Sequence, residues 1–129
     1  MIYEEITKQI IASAIKVHSA LGNGFQEVIY QRAMEIELPL HYLNFEREKV
    51  LPIYYLEQEI GTRRVDFFVE GRIMVELKAL LKLENVHFVQ ALNYCEAYKM
   101  EIGLLINFGA KNLEFKRIHN NKLIHPGRP

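Results

Sequence analysis

The stretch RRVDFFVEGRIMVELK, residues 63–78, decides how this chain folds. Side chains of a β-strand point alternately to opposite faces, so odd and even positions are considered separately. One set is apolar throughout: Val65, Phe67, Val69, Ile73, Val75 and Leu77. The other set is apolar near its middle and charged at its ends: Arg64, Asp66, Phe68, Met74, Glu76 and Lys78. The pattern predicts two strands, 63–69 and 73–78, which share one core face and are joined at 70–72.

The register of this hairpin decides whether Asp66 and Glu76 meet. A two-residue turn would pair odd with even positions and would separate the two carboxylates, whereas a three-residue loop pairs like with like. We place Gly71 last in such a loop, which sets Phe68 opposite Arg72 and puts Asp66 diagonal to Glu76. The apolar face favours this register, because a slip by one residue would expose half of it.

Two carboxylates and a lysine on one half-buried face call for an explanation. Like charges at short distance repel, and desolvation adds to the cost. A divalent cation removes both problems, and Mg²⁺ takes one or two carboxylates together with water and substrate phosphates. Lys78 is expected on the same face as Glu76. The simpler alternative is a salt-bridged strand pair, either Glu76 with Arg64 or Lys78 with Asp66.

The flanking sequence predicts the other elements. Ile6, Ile10, Ala14, Val17 and Leu21 form one helical stripe that ends at Gly22, and Ile29, Ala33, Ile36 and Leu40 form a second. Residues 44–56 favour one or two strands, 84–100 a helix, and 102–106 and 113–118 two more strands. We therefore expect an α/β fold, a mixed sheet flanked by helices, in one domain over residues 1–119 with a polar, flexible tail at 120–129.

Composition sets broad limits. The 129 residues carry 16 basic and 16 acidic side chains, so net charge gives no indication of a nucleic-acid partner, although residues 99–129 hold six basic and two acidic residues. Glu4 and Glu5 stand where a signal peptide would be basic, and no run of about 18 apolar residues is long enough to span a bilayer. We expect a cytoplasmic protein with no membrane partner. Its single cysteine, Cys95, excludes an internal disulfide and is expected in the core.

Several motifs resemble one family. Asp66 followed by Glu76-Leu77-Lys78 is similar to the D-x(n)-ExK signature of the PD-(D/E)xK nuclease superfamily, with Val65 where the superfamily name has proline. Gly24, Glu27 and Tyr30 spell GxxExxY, the motif that names a small bacterial family within it. Gln90 and Tyr94 resemble the QxxxY helix motif of RecB-like nucleases. The similarity runs from about Ile6 to Ile118.

The resemblance implies an αβββαβ (restriction-endonuclease-like) core with a magnesium site on the central hairpin, where Mn²⁺ may replace Mg²⁺. Asp66, Glu76 and Glu27 would be the metal ligands, Glu27 serving as an additional ligand or a water-binding group. Lys78 would be the catalytic lysine. Gln90 and Tyr94 would orient the metal water or a phosphate, and Tyr30 is assigned with Tyr94 to substrate positioning.

Each of these residues also has a structural explanation. Glu27 could be an acidic residue favoured by a helix N-terminus. Tyr30 and Tyr94 could be core aromatics with a polar tip. Gln90 stands among apolar neighbours, and a buried glutamine needs partners, which favours a site. His87 shares the helix face of Gln90 and Tyr94, but we expect it, like His18, to be a structural histidine.

The sequence thus predicts a magnesium-dependent nuclease that hydrolyses phosphodiester bonds of nucleic acid, with DNA as the expected substrate. The alternative is a non-catalytic nucleic-acid-binding or protein-assembly module that retains the nuclease fold, a reading favoured by the neutral charge and small size. The sequence does not decide between a monomer and a homo-oligomer.

Overall fold

A computed structural model describes residues 2–124, and side chains over residues 3–122. The helices are α1 (Ile2–Leu21), α2 (Glu27–Leu40), α3 (Asn85–Ala97) and the short α4 (Asn121–Ile124). The strands are β1 (Phe45–Tyr55), β2 (Gln58–Val69), β3 (Ile73–Lys78), β4 (Ile102–Asn107) and β5 (Glu114–His119). They form one sheet in the order β1-β2-β3-β4-β5, in which only β3 and β4 pair in parallel. The predicted α/β class, a mixed sheet flanked by helices, is confirmed.

Helix α1 packs as its sequence predicts. Ile10, Ala14 and Val17 are buried, and Ile6 and Leu21 border the same cluster. The helix ends at Gly22, whose φ of +77° is readily adopted only by a residue without a side chain. The N–H of Gly22 donates to the carbonyl of His18 at 2.8 Å and closes the last turn.

The predicted core face of α2 is wrong. Ile36 and Leu40 are 72% and 67% exposed. The helix instead buries Tyr30, Gln31, Met34 and Leu38. Both stripes have apolar residues at helical spacing and differ by about one residue, or roughly 100° of rotation. Packing against α1 and the sheet selects the stripe with the larger side chains.

The sheet carries an apolar layer on each side. The larger cluster contains residues of α1 and α2 together with Phe67, Val69, Val75, Leu77 and Phe108. The smaller one joins α3 to the opposite side through Val65, Met74, Ala91, Cys95, Leu105 and Ile118. Parallel pairing of β3 with β4 requires a crossover connection, which α3 provides.

The β2–β3 hairpin has a three-residue loop, as predicted, but at another position. Phe68 pairs with Met74 and Val69 with Ile73, so the loop is 70–72, and Gly71 is its middle residue rather than its last. Glu70 and Gly71 both have positive φ, +53° and +62°. The observed pairing differs from the predicted pairing by two residues. Because a shift by two residues keeps every side chain on its own face of the sheet, the same side chains still share a face. Continuing the observed register brings Asp66 level with Glu76 rather than diagonal to it.

The predicted apolar face fails at Val65. Val65 belongs to the cluster under α3, whereas Phe67 and Val69 belong to the cluster under α1 and α2. Strand β3 pairs with β2 only over Phe67–Val69. On the other side of β2, Glu48 of β1 lies between the partners of Phe67 and Val65 and has a φ of +52°. The alternation of side chains is interrupted where β2 leaves β3, although the register between β1 and β2 is the same on both sides of this point.

The C-terminal boundary also differs from the expectation. Asn120, where a flexible tail was predicted to begin, is 2% exposed. Its N–H donates to the carbonyl of Glu101 at 2.9 Å, and its Nδ2 donates to the carbonyl of Cys95 at 3.2 Å. The short α4 follows it. The rest of the predicted tail, 125–129, lies outside the described residues. Within residues 2–124, no helix is both long and apolar enough to cross a membrane.

Candidate active site

The candidate site lies where β2 and β3 separate. Beyond the Phe67–Val75 pair, the backbone pairing of β2 with β3 ends. There the side chain of Asp66 bonds to β3 instead: its Oδ2 accepts a hydrogen bond of 2.8 Å from the backbone N–H of Leu77. Glu76, the residue before Leu77, is buried on the α3 side of the sheet with 4% of its surface exposed. The structure therefore brings the two predicted carboxylates together at one strand end.

Arg63 contacts Glu76 directly. Its Nη2 lies 3.2 Å from Oε2 of Glu76, and its guanidinium carbon lies 4.6 Å above the ring of Tyr94 on α3. Two further atoms of this group are buried without a hydrogen-bond partner: Nε of Arg63 and Oε1 of Glu76. A buried acceptor without a donor is costly, and such exceptions call for an explanation.

Sequence reasoning missed Arg63, because strict alternation places Arg64 on the face of Asp66 and Glu76. In the structure Arg64 is exposed and pairs with Glu48 at 3.5 Å instead. The interruption at Val65–Asp66 turns Arg63 toward the site. The sequence pattern contained no signal for Arg63, because nothing in it indicated an interruption at this position.

The carboxyl groups have perturbed protonation. Burial raises the pKa of Glu76 to about 8, and the negative charge of Asp66 acts in the same direction, while Arg63 and Lys78 oppose both effects. Burial also raises the pKa of Asp66, against the hydrogen bond from Leu77, which lowers it. Perturbed groups in close contact are typical of functional sites, although structural ion pairs produce them too.

Lys78 stands at the end of β3, beside this carboxylate pair. Its positive charge lowers the pKa of Glu27, Asp66 and Glu76. Its backbone is held at the end of β4, because its carbonyl accepts the N–H of Phe108 at 2.8 Å. Lys78 therefore interacts electrostatically with the same carboxyl groups, despite its separation along the chain from Asp66 and Glu27.

Glu27, the first residue of α2, is at an exposed position, and its pKa depends on the charged groups of the site. Burial raises its pKa, with the charge of Asp66 as the next cause, while Lys78 and Arg63 lower it. Within residues 2–124, however, no three His, Cys, Asp or Glu side chains are close enough together to hold one metal ion. The predicted ligand set of Asp66, Glu76 and Glu27 is therefore not assembled in this structure. Glu27 lies in the outer part of the site.

The substrate-positioning role predicted for Tyr30 is wrong. Tyr30 has no exposed surface, so it cannot touch a substrate. Its hydroxyl donates to the carbonyl of Gly22 at 2.6 Å and accepts from the N–H of Phe25 at 3.1 Å, and its ring stacks on Phe108 at 4.7 Å. Tyr30 closes the loop that carries Glu27 into α2, which is a physical reason for a tyrosine three residues after this glutamate.

The two residues of the QxxxY pattern differ in placement. Gln90 is exposed, so the expectation of a buried glutamine in need of partners is wrong. Tyr94, one turn further along α3, is partly buried beneath Arg63. His87 acts at the start of α3, where its Nδ1 accepts the N–H of Glu84 at 3.0 Å. His18 lies 3.0 Å, through Nε2, from the carbonyl of Ala110. Both histidines are structural, as expected.

Asn107 is a further residue that sequence reasoning did not single out. It is fully buried opposite Lys78 in the parallel pair of β3 and β4. Its amide bonds the N–H of Leu80 at 2.8 Å and the carbonyl of Leu80 at 2.9 Å, and it also bonds Glu114. Glu114 in turn accepts the N–H of Leu83 at 2.8 Å. These contacts hold the loop that follows Lys78, and so they position the lysine.

The donor chemistry at the site fits a divalent cation. Mg²⁺ binds oxygen ligands and needs only one or two carboxylates when water and substrate phosphate supply the others. Asp66 and Glu76 provide two such groups, and Oε1 of Glu76 has no hydrogen-bond partner among the described residues. These two residues would hold the ion.

Comparisons with known proteins agree with this fold. The sequence profile of the PD-(D/E)XK nuclease superfamily matches residues 4–118. Among solved structures, the crystal structure of SSO0001 superposes with a TM-score of 0.57 at 19% sequence identity, covering 72% of this chain and 50% of that one. The chain therefore spans about half the length of that protein, and the likeness concerns the fold alone. A search of curated proteins gave no match. With nearly the whole described chain matched, this protein belongs to the PD-(D/E)XK nuclease superfamily.

Proposed function

We propose that this protein hydrolyses phosphodiester bonds of nucleic acid, with DNA as substrate, at a divalent cation held by Asp66 and Glu76. Mg²⁺ is the proposed ion, and Mn²⁺ can substitute for it. The observation that carries the proposal is the pair of carboxyl groups of Glu76 and Asp66, which interact directly, together with the buried Oε1 of Glu76, which has no hydrogen-bond donor within the described part of the chain. The superfamily match supports the nuclease activity. Placement in the GxxExxY group rests on Gly24, Glu27 and Tyr30 and is part of the same proposal.

Each residue has a distinct part in the reaction. Asp66 and Glu76 would hold a divalent ion, which when bound would polarise the phosphodiester and lower the pKa of the attacking water. Lys78 places a positive charge beside the carboxylates, where it stabilises the charge that develops on the phosphate in the transition state. Glu27, whose pKa is affected by the charge of Asp66, would accept a hydrogen bond from the attacking water and orient it. Tyr30 and Asn107 act indirectly, by fixing the segments that carry Glu27 and Lys78.

A cleavage assay tests the proposal. Labelled single- and double-stranded DNA and RNA are incubated with the protein in Mg²⁺, Mn²⁺, Ca²⁺ or EDTA. Activity should require Mg²⁺ or Mn²⁺, and Lys78→Met should lower it by at least about 100-fold, the typical effect of removing one transition-state contact. Lys8→Met, which removes an exposed lysine of α1, is the matched control and should retain full activity.

The same assay separates catalysis from mere binding. Lys78→Met should keep its metal-dependent thermal stabilisation, because a protonated lysine does not ligate a cation. The non-catalytic alternative draws support from Arg63, which places a cationic side chain on Glu76. A wild-type protein that binds nucleic acid but shows neither a metal-dependent melting shift nor cleavage would favour that alternative.

A further inference from the structure

Arg63 and Tyr94 form a unit that the proposed reaction does not yet use. The guanidinium is placed between a buried carboxylate, 3.2 Å away at Glu76, and an aromatic ring 4.6 Å away at Tyr94. The Glu76 side chain is only 5% exposed, whereas that of Arg63 is 32% exposed. The arginine therefore covers the carboxylate from the solvent side, where a cation and a phosphate would have to enter.

Arg63 does not make all the hydrogen bonds that a guanidinium can make with a carboxylate. A guanidinium can bind a carboxylate through two parallel N–H groups, which is the strong arrangement. Arg63 uses one nitrogen, while its Nε and the second oxygen of Glu76 are both buried without a partner among the described residues. The contact therefore lacks the full set of hydrogen bonds that a bidentate pair makes. Such an ion pair is easier to separate than a bidentate one, particularly when a doubly charged competitor arrives.

Tyr94 gives Arg63 a second support, independent of Glu76. A guanidinium over an aromatic face is attracted by the ring, and this attraction persists when the carboxylate is taken by another partner. Arginine is also the side chain best suited to contact phosphate, because its planar group presents several donors in a fixed fork. The stacked guanidinium would thus stay beside the site, and the N–H group that had bonded Glu76 would be available to another acceptor.

We propose that Arg63 is a stand-in cation: it occupies the carboxyl group of Glu76 until a divalent ion displaces it, and then, still stacked on Tyr94, it binds a phosphate of the substrate. This inference rests on the proposed function and assigns a phosphate-binding residue and a loading step to the same site. Tyr94 is a positioning residue in this scheme, because it acts through Arg63. The cation and the arginine compete for one carboxylate, so each weakens binding of the other.

The first test measures cation binding without nucleic acid. Isothermal titration of the full-length protein with Mn²⁺ should give about tenfold tighter binding for Arg63→Gln, equivalent to about 1.4 kcal/mol. Arg64→Gln is the matched control, since the neighbouring arginine is exposed and pairs with Glu48, and its affinity should equal that of wild type. Equal or weaker Mn²⁺ binding by Arg63→Gln would show that the arginine does not compete.

The second test measures the phosphate contact. With Ca²⁺ in place of Mg²⁺, binding of a fluorescein-labelled DNA duplex is followed by anisotropy across a range of salt concentrations. Arg63→Gln should bind more weakly and lower the slope of log affinity against log salt by about 0.9, the value for one lost phosphate contact. Arg64→Gln should leave that slope unchanged. An unchanged slope in Arg63→Gln would overturn the phosphate-binding part of the proposal.

Variants at Tyr94 and Arg63 exclude a merely structural explanation. Tyr94→Phe keeps the aromatic face and should keep the wild-type salt slope, whereas Tyr94→Leu should reproduce the lower slope of Arg63→Gln. Arg63→Lys retains the charge and serves as a second variant in case Arg63→Gln has a folding defect. Its Mn²⁺ affinity should lie nearer to that of the wild type than the affinity of Arg63→Gln does. Because the Mn²⁺ titration involves no nucleic acid, its outcome is independent of cleavage. A protein that fails to cleave can still confirm or refute the competition.

Discussion

The carboxylate of Asp66 on β2 accepts a hydrogen bond of 2.8 Å from the backbone N–H of Leu77 on β3. Through this bond a side chain takes over the place of a main-chain carbonyl where the two strands separate. It fixes Asp66 relative to Glu76, the residue before Leu77, although like charges at this distance repel. A local structural contact thus holds two groups together whose own interaction is unfavourable when both are ionised.

Replacement of Asp66 by Asn should abolish activity and metal-dependent stabilisation while leaving the metal-free protein as stable as wild type or slightly more so. The amide can still accept the Leu77 N–H and removes a charge that repels Glu76. Wild type should gain about 2.7 kcal/mol at a hundredfold excess of Mg²⁺ over its dissociation constant. Thermal melting with and without metal gives both quantities. Equal metal shifts in wild type and Asp66→Asn would exclude Asp66 as a principal ligand.

Asp66→Ala is the comparison that isolates the hydrogen bond. It removes the same charge but leaves the N–H of Leu77 without its acceptor. The metal-free alanine variant should therefore be less stable than Asp66→Asn by about 1–3 kcal/mol, the cost of an unsatisfied buried donor.

The metal-free protein should lose stability as the pH rises from about 5 to 8. The folded pKa of Glu76, about 8, lies above its ordinary value of 4.5. Between these values the unfolded chain releases a proton that the folded chain retains, so the free energy of unfolding falls with pH. The fall should be on the order of a few kcal/mol. Burial raises the pKa of Asp66 and Glu27 as well, which adds to the trend.

Urea unfolding in EDTA at a series of pH values measures this slope. Glu76→Gln should flatten it, because the amide does not titrate, whereas Glu59→Gln, at an exposed position of β2, should keep it. Saturating Mg²⁺ should also flatten it in wild type, since a bound cation favours the ionised carboxylates. A wild-type slope of zero in EDTA would contradict the buried, protonated state of Glu76.

Tyr30→Phe should destabilise the protein by about 1–3 kcal/mol, because the carbonyl of Gly22 and the N–H of Phe25 both lose their hydroxyl partner. The loop before Glu27 should loosen, so activity should fall although Tyr30 touches no substrate. Hydrogen exchange of residues 22–27 and a melting curve provide the two measurements. Tyr42→Phe, at a tyrosine that is 93% exposed, should change stability by less than about 0.5 kcal/mol.

Gly103→Ala should destabilise the contact between α3 and the sheet. A methyl group at this position would lie 2.5 Å from Sγ of Cys95, which is closer than such atoms approach. The expected cost is about 1–3 kcal/mol. Adding Cys95→Ala should recover part of it, with a coupling energy of about 0.5–3 kcal/mol in a double-mutant cycle. Gly61→Ala, where a methyl group meets nothing within 4 Å, is the control. Strictly additive losses would contradict the steric explanation.

Much of the fold was predictable from local pattern. The apolar run of β4 predicted the bounds of that strand closely, and the three-residue length of the β2–β3 loop was right although its register was two residues off. Both features depend on only a few neighbouring residues. The stripe of α1 was also right. In α2 two stripes were equally apolar, and only the shape of the surface beneath the helix decided which one is buried.

The candidate site likewise has one part that the sequence predicts and another part that only the tertiary structure determines. That Asp66, Glu76 and Lys78 share a place follows from the residue types and from the even spacing across a three-residue loop, and both are properties of the sequence alone. The presence of Arg63 beside Glu76, the burial of Tyr30 and the exposure of Gln90 were decided by tertiary structure. Strand alternation holds only while neighbouring strands stay paired. Where β2 leaves β3, the direction of each side chain depends on contacts with α2 and α3, which lie far away along the chain.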